Sequence, residues 1–291
     1  MAPTPTARTP EPPRPRIPRG SDPTPRCPAR PRFSPPVPAG RTGGVLRRRA
    51  CRLQALRLRY RPAPVSGPIR PGAPLASVSP MRIGLLGTGN VARALAHGWR
   101  AAGHDVLLGS RRPEERAGLG LPVAGLDETA AHADVLVNAT PGGVSVDLLH
   151  SIGAPALAGT LLVDVGVGLS DDFSALTHPN SSLGELIQEA FPLTPVVKTL
   201  CTMDSTTMTA PGELTEPGTV FLSGDDAEAK RTTGRLLTDL GWPESSQLDI
   251  GGITTARGQE HFAFLFMGIA GGVGSHTFNI KVVTRRSADT F

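Results

Sequence analysis

Residues 82–92 leave the backbone few options. Arg82-Ile83-Gly84-Leu85-Leu86 is an apolar run of strand length, and Gly87-Thr88-Gly89-Asn90-Val91-Ala92 follows it without a spacer. In this G-x-G-x-x-A order, Gly87 permits a tight turn out of the strand, Gly89 lets a pyrophosphate approach the backbone, and Ala92 lets the next helix pack close to a sheet. Ala92, Leu95, Ala96 and Trp99 then fall at i, i+3, i+4 and i+7, the stripe of a buried helix face, with Gly103 as a terminator. Such a helix points its free N–H groups and its dipole at the loop, which makes an anion site. A second strand over 105–108 completes the strand, loop, helix and strand that the motif requires.

The end of that second strand carries the next constraint. Where a fold of this kind selective for NAD offers a carboxylate to the ribose, this chain reads Gly109-Ser110-Arg111-Arg112. A hydroxyl and two guanidinium groups suit a 2′-phosphate, so the expected cofactor is NADP(H). The competing reading is a solvated basic loop. The expected nucleotide contacts are Gly87, Thr88, Gly89, Asn90 and Val91 in the first loop and Ser110, Arg111 and Arg112 in the second.

Further strands are predicted over 121–124, 134–138, 161–165 and 195–200, with helices over 127–133 and 183–190. Ligands of open parallel sheets sit outside the carboxyl ends of the strands, which adds Asn138, Ala139, Thr140 and Pro141 to the candidate cleft. Asp164 and Gly166 reach the same edge, Asp164 equally suited to a structural hydrogen bond. Lys198 suits an anionic ligand or a negatively charged ring, or is an ordinary surface lysine; Cys201 and Met203 follow it in a polar turn. Beyond residue 201 the pattern predicts strands over 220–222 and 247–250, a helix over 225–240 and an apolar helix over 262–269, in which His261 reads as core or contact rather than catalyst. The fold class is therefore α/β. A Rossmann-type parallel sheet over 81–200 precedes a small α+β domain over 201–291.

Residues 1–80 differ in kind. They hold 20 of the 30 prolines and 16 of the 30 basic residues against two carboxylates, which puts this segment at +14 and residues 81–291 at −9. Proline blocks regular hydrogen bonding and the like charges repel, so a disordered tail is expected, with one arginine-rich candidate helix over 45–60. A nucleic-acid or membrane-surface role, a transit peptide, and an upstream extension outside the working protein all fit. The last is favoured, because Met81 stands directly before a strand that needs nothing ahead of it. Nucleic-acid binding is not expected of the folded part. Cys27, Cys51 and Cys201 form neither a disulfide framework nor a zinc spacing, so no metal site is expected and a reducing, cytoplasmic setting fits. No apolar stretch has membrane-spanning length.

Several separated segments together resemble the NADPH-dependent F420 reductase family: Met81 to Arg112, Asn138-Ala139-Thr140-Pro141, Val197-Lys198-Thr199-Leu200, Ser223-Gly224-Asp225-Asp226 with Ala229-Lys230, and Phe278-Asn279-Ile280-Lys281. The resemblance implies a homodimer that passes hydride between NADP(H) and the deazaflavin coenzyme F420. By position it implies Thr88, Gly89 and Asn90 on the pyrophosphate and Ser110, Arg111 and Arg112 on the 2′-phosphate. The hydride-transfer cleft would be lined by Thr140, Pro141, Lys198, Cys201 and Met203. Two departures fall on the deazaflavin side: Cys201 replaces a polar residue, and Asp164-Val165-Gly166-Val167-Gly168 lacks an Asn-Pro. Cys201 reads equally as a pocket residue or as a small apolar filler. An NADPH-dependent imine or carbonyl reductase and a non-catalytic NADP-sensing module are the rival readings.

Overall fold

The computed structural model describes residues 79–284. The expected tail, its candidate helix over 45–60, Cys27 and Cys51 lie outside the described residues, which begin two positions before Met81.

Strand β1 (Arg82–Leu86) leads through the glycine loop into helix α1 (Asn90–Ala101) and strand β2 (Asp105–Gly109). Then come β3 (Val123–Ala124), α2 (Leu126–His132), β4 (Val135–Asn138), α3 (Gly142–Ile152), α4 (Ala154–Leu157) and β5 (Leu161–Asp164). The remainder is α5 (Leu183–Ala190), β6 (Val196–Thr199), α6 (Ser205–Thr209), β7 (Val220–Ser223), α7 (Ala227–Asp239), β8 (Gln247–Asp249) and α8 (Ala256–Val273). The eight strands form one sheet in the order β3-β2-β1-β4-β5-β6-β7-β8. Every neighbouring pair is parallel except β6 and β7. The division expected at residue 200 falls between β6 and β7, which are hydrogen-bonded neighbours in this sheet.

Each face of the sheet has its own core. On one face Ile83, Leu85, Val137 and Val197 pack with Ala92, Leu95 and Trp99 of α1 and with Leu236 and Leu237 of α7. The indole N–H of Trp99 donates to the Leu236 carbonyl at 3.0 Å, so α7 is pinned to α1 by a bond as well as by apolar contact. On the other face Leu86, Leu136, Leu162 and Val196 meet Leu149, Leu183, Ile187 and Phe191. Strands buried on both sides read as continuous apolar runs, which is why β1, β4 and β5 are legible in the sequence.

Two elements depart from expectation. Helix α3 begins at Gly142, inside what reads as a simple strand exit; Gly142, Gly143 and Ser145 are weak helix formers, and tertiary packing overrides them. Helix α8 runs from Ala256 rather than 262, because its first turns bury Ala256, Gln259 and Glu260 rather than an apolar stripe. Phe264, Leu265 and Met267 on the same helix are exposed. After α8 the chain returns to the sheet: Thr219 N–H donates to the Ile280 carbonyl at 2.8 Å, and Val282 N–H to Thr219 Oγ1 at 3.0 Å. No described helix is long and apolar enough to cross a membrane.

The start of α3 touches the loop after β5 so closely that a Cβ on Gly142 would lie 2.4 Å from Gly168 Cα. Backbone cannot give way as a side-chain tip can. Gly142→Ala should therefore cost about 1–3 kcal/mol, read as a lower urea midpoint with unchanged slope.

Candidate functional site

The carboxyl ends of β1, β2, β4, β5 and β6 surround a cavity of about 720 Å³. Gly87, Thr88, Gly89, Asn90 and Val91 line its middle. Gly87 sits at φ +114°, a conformation that a side chain would strain, and its N–H donates to the Gly109 carbonyl at 3.0 Å. A Cβ on Gly89 would meet no protein atom within 4 Å, so the backbone there faces open space. Helix α1 starts at that point with no acidic residue in its first turn, which leaves its positive end free for an anion.

One end of the cavity is cationic. Ser110, Arg111 and Arg112 line it, joined by Arg116 and Glu115 from the 3-10 segment Pro113–Leu119. Arg112 is held by Glu115 at 3.0 Å, an exposed pair worth about 0–1 kcal/mol and easily exchanged for a phosphate. Among the described residues Arg111 forms no such ion pair. Sequence reasoning missed Arg116 because it weighed only the residues directly after the strand. A basic residue one helical turn further on was the available signal.

The opposite end lies beyond β4. From the sheet order, the exits of β5 and β6 stand three and four strands from that of β2, roughly 14–19 Å at about 4.8 Å per strand. Ala139, Thr140 and Pro141 line this end with Val165, Gly166 and Val167. Cys201, Met203 and Met208 close it. The backbone reaches Cys201 through Leu200, a buried residue at φ +60°, a conformation costing about 1–3 kcal/mol. Asn279 Nδ2 contacts Met203 Sδ at 3.6 Å, so the returning C-terminal segment supports this wall.

Asn138 and Lys198 do not line the cavity. Both are fully buried just behind it, in a row set by strand register: Asn138 is opposite Asp164 and Asp164 opposite Lys198. Paired residues of neighbouring strands share a face, and these three bond along the row. Lys198 Nζ donates to Asp164 Oδ2 at 2.8 Å and to the Gly166 carbonyl, and meets Glu260 Oε1 of α8 at 2.7 Å. Asp164 Oδ1 accepts from Asn138 Nδ2 at 2.8 Å and from Gly166 N–H at 3.1 Å. Asn138 Oδ1 in turn accepts from Thr140 Oγ1 at 2.6 Å, which carries the chain of bonds to the cavity wall. The expected contact of Lys198 with an anionic ligand is thus replaced by two carboxylates of the protein. Burial opposes the ammonium, yet the carboxylates of Asp164 and Glu260 outweigh it and hold Lys198 charged above the ordinary lysine range.

Cys201 shows part of itself to the cavity while its thiol points at Gln259 Oε1, 3.8 Å away. Burial pushes the thiol up to about 12, Lys198 working against this and Glu260 and Asp164 with it. It is therefore a neutral thiol near pH 7 and no activated nucleophile. His261 lies on the exposed side of α8, with Nε2 3.2 Å from the Pro179 carbonyl and away from the cavity. Among the described residues no cluster of His, Cys, Asp and Glu has the makings of a metal site.

Residues 82–168 match the family model described as NADP oxidoreductase, coenzyme F420-dependent. The solved structure of a candidate F420-dependent NADP reductase of Arthrobacter sp. FB24 is 37% identical, with a TM-score of 0.66, covering 70% of this chain and 100% of that one. A metalloreductase STEAP3 of Rattus norvegicus is 30% identical over 178 residues, 60% of this chain; the chain spans only 35% of that relative's length. A reductive aminase of Aspergillus terreus is similar in fold alone, at 17% identity and TM-score 0.51 over 67% of this chain and 63% of that one.

The guanidinium of Arg111 at the cationic end supplies a test. Arg111→Ala should raise the apparent KM for NADPH about 10-fold or more, from about 1.5–3 kcal/mol for a hydrogen bond to a charged group. The KM for NADH should hardly move, and steady-state kinetics with both nucleotides check it.

Proposed function

The chain belongs to the coenzyme F420-dependent NADP oxidoreductase family, and we propose that it passes a hydride between NADP(H) and the deazaflavin F420. The observation that carries this reading is the cavity's polarity along its length. A phosphate loop in the middle separates a guanidinium end from an end walled by Pro141, Val165, Val167, Met203 and Met208. The first end suits a 2′-phosphate and the second suits flat rings. The full coverage of the Arthrobacter protein supports the same assignment. Hydride transfer between stacked rings asks the protein for orientation more than for acid or base groups. That fits a neutral Cys201 and a Lys198 consumed by its own carboxylates.

In this reading NADP(H) supplies or receives the hydride at the apolar end. Residues 81–200 hold the nucleotide through Thr88, Gly89 and Asn90 and through Ser110, Arg111 and Arg112, while Cys201, Met203 and Met208 close the deazaflavin side. Thr140 and Pro141 stand between the two. Mixing the protein with NADPH and oxidised F420 should bleach the deazaflavin absorbance with one NADPH consumed per F420. NADPH that binds but leaves the deazaflavin band unchanged would remove F420 as the acceptor.

The same reading extends to a homodimer. Phe264, Leu265 and Met267 put large apolar side chains on the surface of α8, an arrangement that a second copy would bury. Light scattering should report twice the chain mass, and Leu265→Glu should return it to one.

A further inference from the structure

The cluster behind the cavity wall has more negative groups than positive ones. Lys198, Asp164 and Glu260 are all at most 2% exposed, and one ammonium faces two carboxylates at 2.8 and 2.7 Å. Among the described residues, neither Asp164 nor Glu260 has another cationic partner. Arg257, one turn before Glu260, is taken by Glu185 at 2.6 Å on the surface. The other groups in contact are neutral: Asn138 on Asp164, and Gln259, which donates to the Lys198 carbonyl at 3.2 Å. Leu183 and Gly184 N–H groups at the start of α5 donate to Glu260, and a helix end offers at most roughly half a positive charge. An excess of negative charge remains.

We propose that this cluster is an electrostatic element of the cavity, whose excess carboxylate makes the end beside Gly166 and Cys201 favour oxidised, cationic nicotinamide over the reduced, neutral ring. The proposal rests on the NADP(H) reading above. When reduced nicotinamide gives up a hydride, both bonding electrons leave with it and the ring becomes a pyridinium cation. With the 2′-phosphate at the guanidinium end and the pyrophosphate on the loop, that ring belongs at the far end, and Gly166 couples it to the cluster. Gly166 lines the cavity, its carbonyl accepts from Lys198 and its N–H donates to Asp164. Buried charge acts through a low-dielectric interior, where its field is far less screened than at a surface.

The test compares the Kd of NADP+ and of NADPH by calorimetry for the unaltered chain, Glu260→Gln and Asp164→Asn. Each variant removes one negative charge and keeps one of the two accepting oxygens. NADP+ should weaken about 5- to 10-fold relative to NADPH in either variant, while NADPH affinity stays within about 2-fold. Equal weakening of both nucleotides, or an unchanged ratio, would overturn the proposal and leave the cluster a structural one; so would loss of fold in both variants, read by circular dichroism. Failure of the unaltered chain to bind either nucleotide would overturn the NADP(H) reading itself, and this proposal with it.

Discussion

A buried ammonium with no partner is among the least tolerable features a fold can have, and Lys198 is where this chain meets that cost. It is met by pairing, and the pairing decides how four elements sit. Asp164 comes from β5, Lys198 from β6 and Glu260 from α8, and Glu260 also receives the first N–H groups of α5. Removing Lys198 would strand both carboxylates in the interior, so the elements hold each other in place through it. The carboxyl edge of the sheet is rigid at that point, and the cavity wall at Thr140, Gly166 and Cys201 inherits its shape from it.

The legibility of the sequence follows from how local each signal is. The first strand, glycine loop and helix are readable because every residue that matters lies within twenty positions, and the structure puts Gly87 to Val91 and Ser110 to Arg112 in one cavity. The strands were found because parallel strands are apolar on both faces. The role of Lys198 was not readable, since its partners lie 34 and 62 positions away and the register that aligns them is a product of folding. A lysine at a strand end reads the same whether it faces water, a ligand or two buried carboxylates. Helix α3 was missed for a related reason: its small residues are selected for close approach to the loop after β5, at the expense of helix propensity.

Charge is distributed in this molecule with a purpose that the whole-chain value hides. Residues 81–291 carry −9 overall, yet the cavity mouth gathers Arg111, Arg112 and Arg116. A cationic mouth on an acidic body concentrates the field where an anionic nucleotide must enter and repels it elsewhere. At the other end the polarity reverses behind the wall. One cavity thus carries opposite signs at its two ends.

The bond from Trp99 to the Leu236 carbonyl spans 137 positions, and the hydrogen bond between His104 Nε2 and Asp239 spans 135. Contacts so distant along the chain have a consequence for the order of assembly. The first core face cannot close until residues near 240 are available, so a ribosome that has released only the glycine loop and its helix holds an open, half-covered sheet. Closing large loops before the contacts that reward them slows folding. Until α7 arrives, Trp99 of α1 therefore lacks its hydrogen-bond acceptor and part of its apolar cover, and the nascent chain presents that indole to its surroundings.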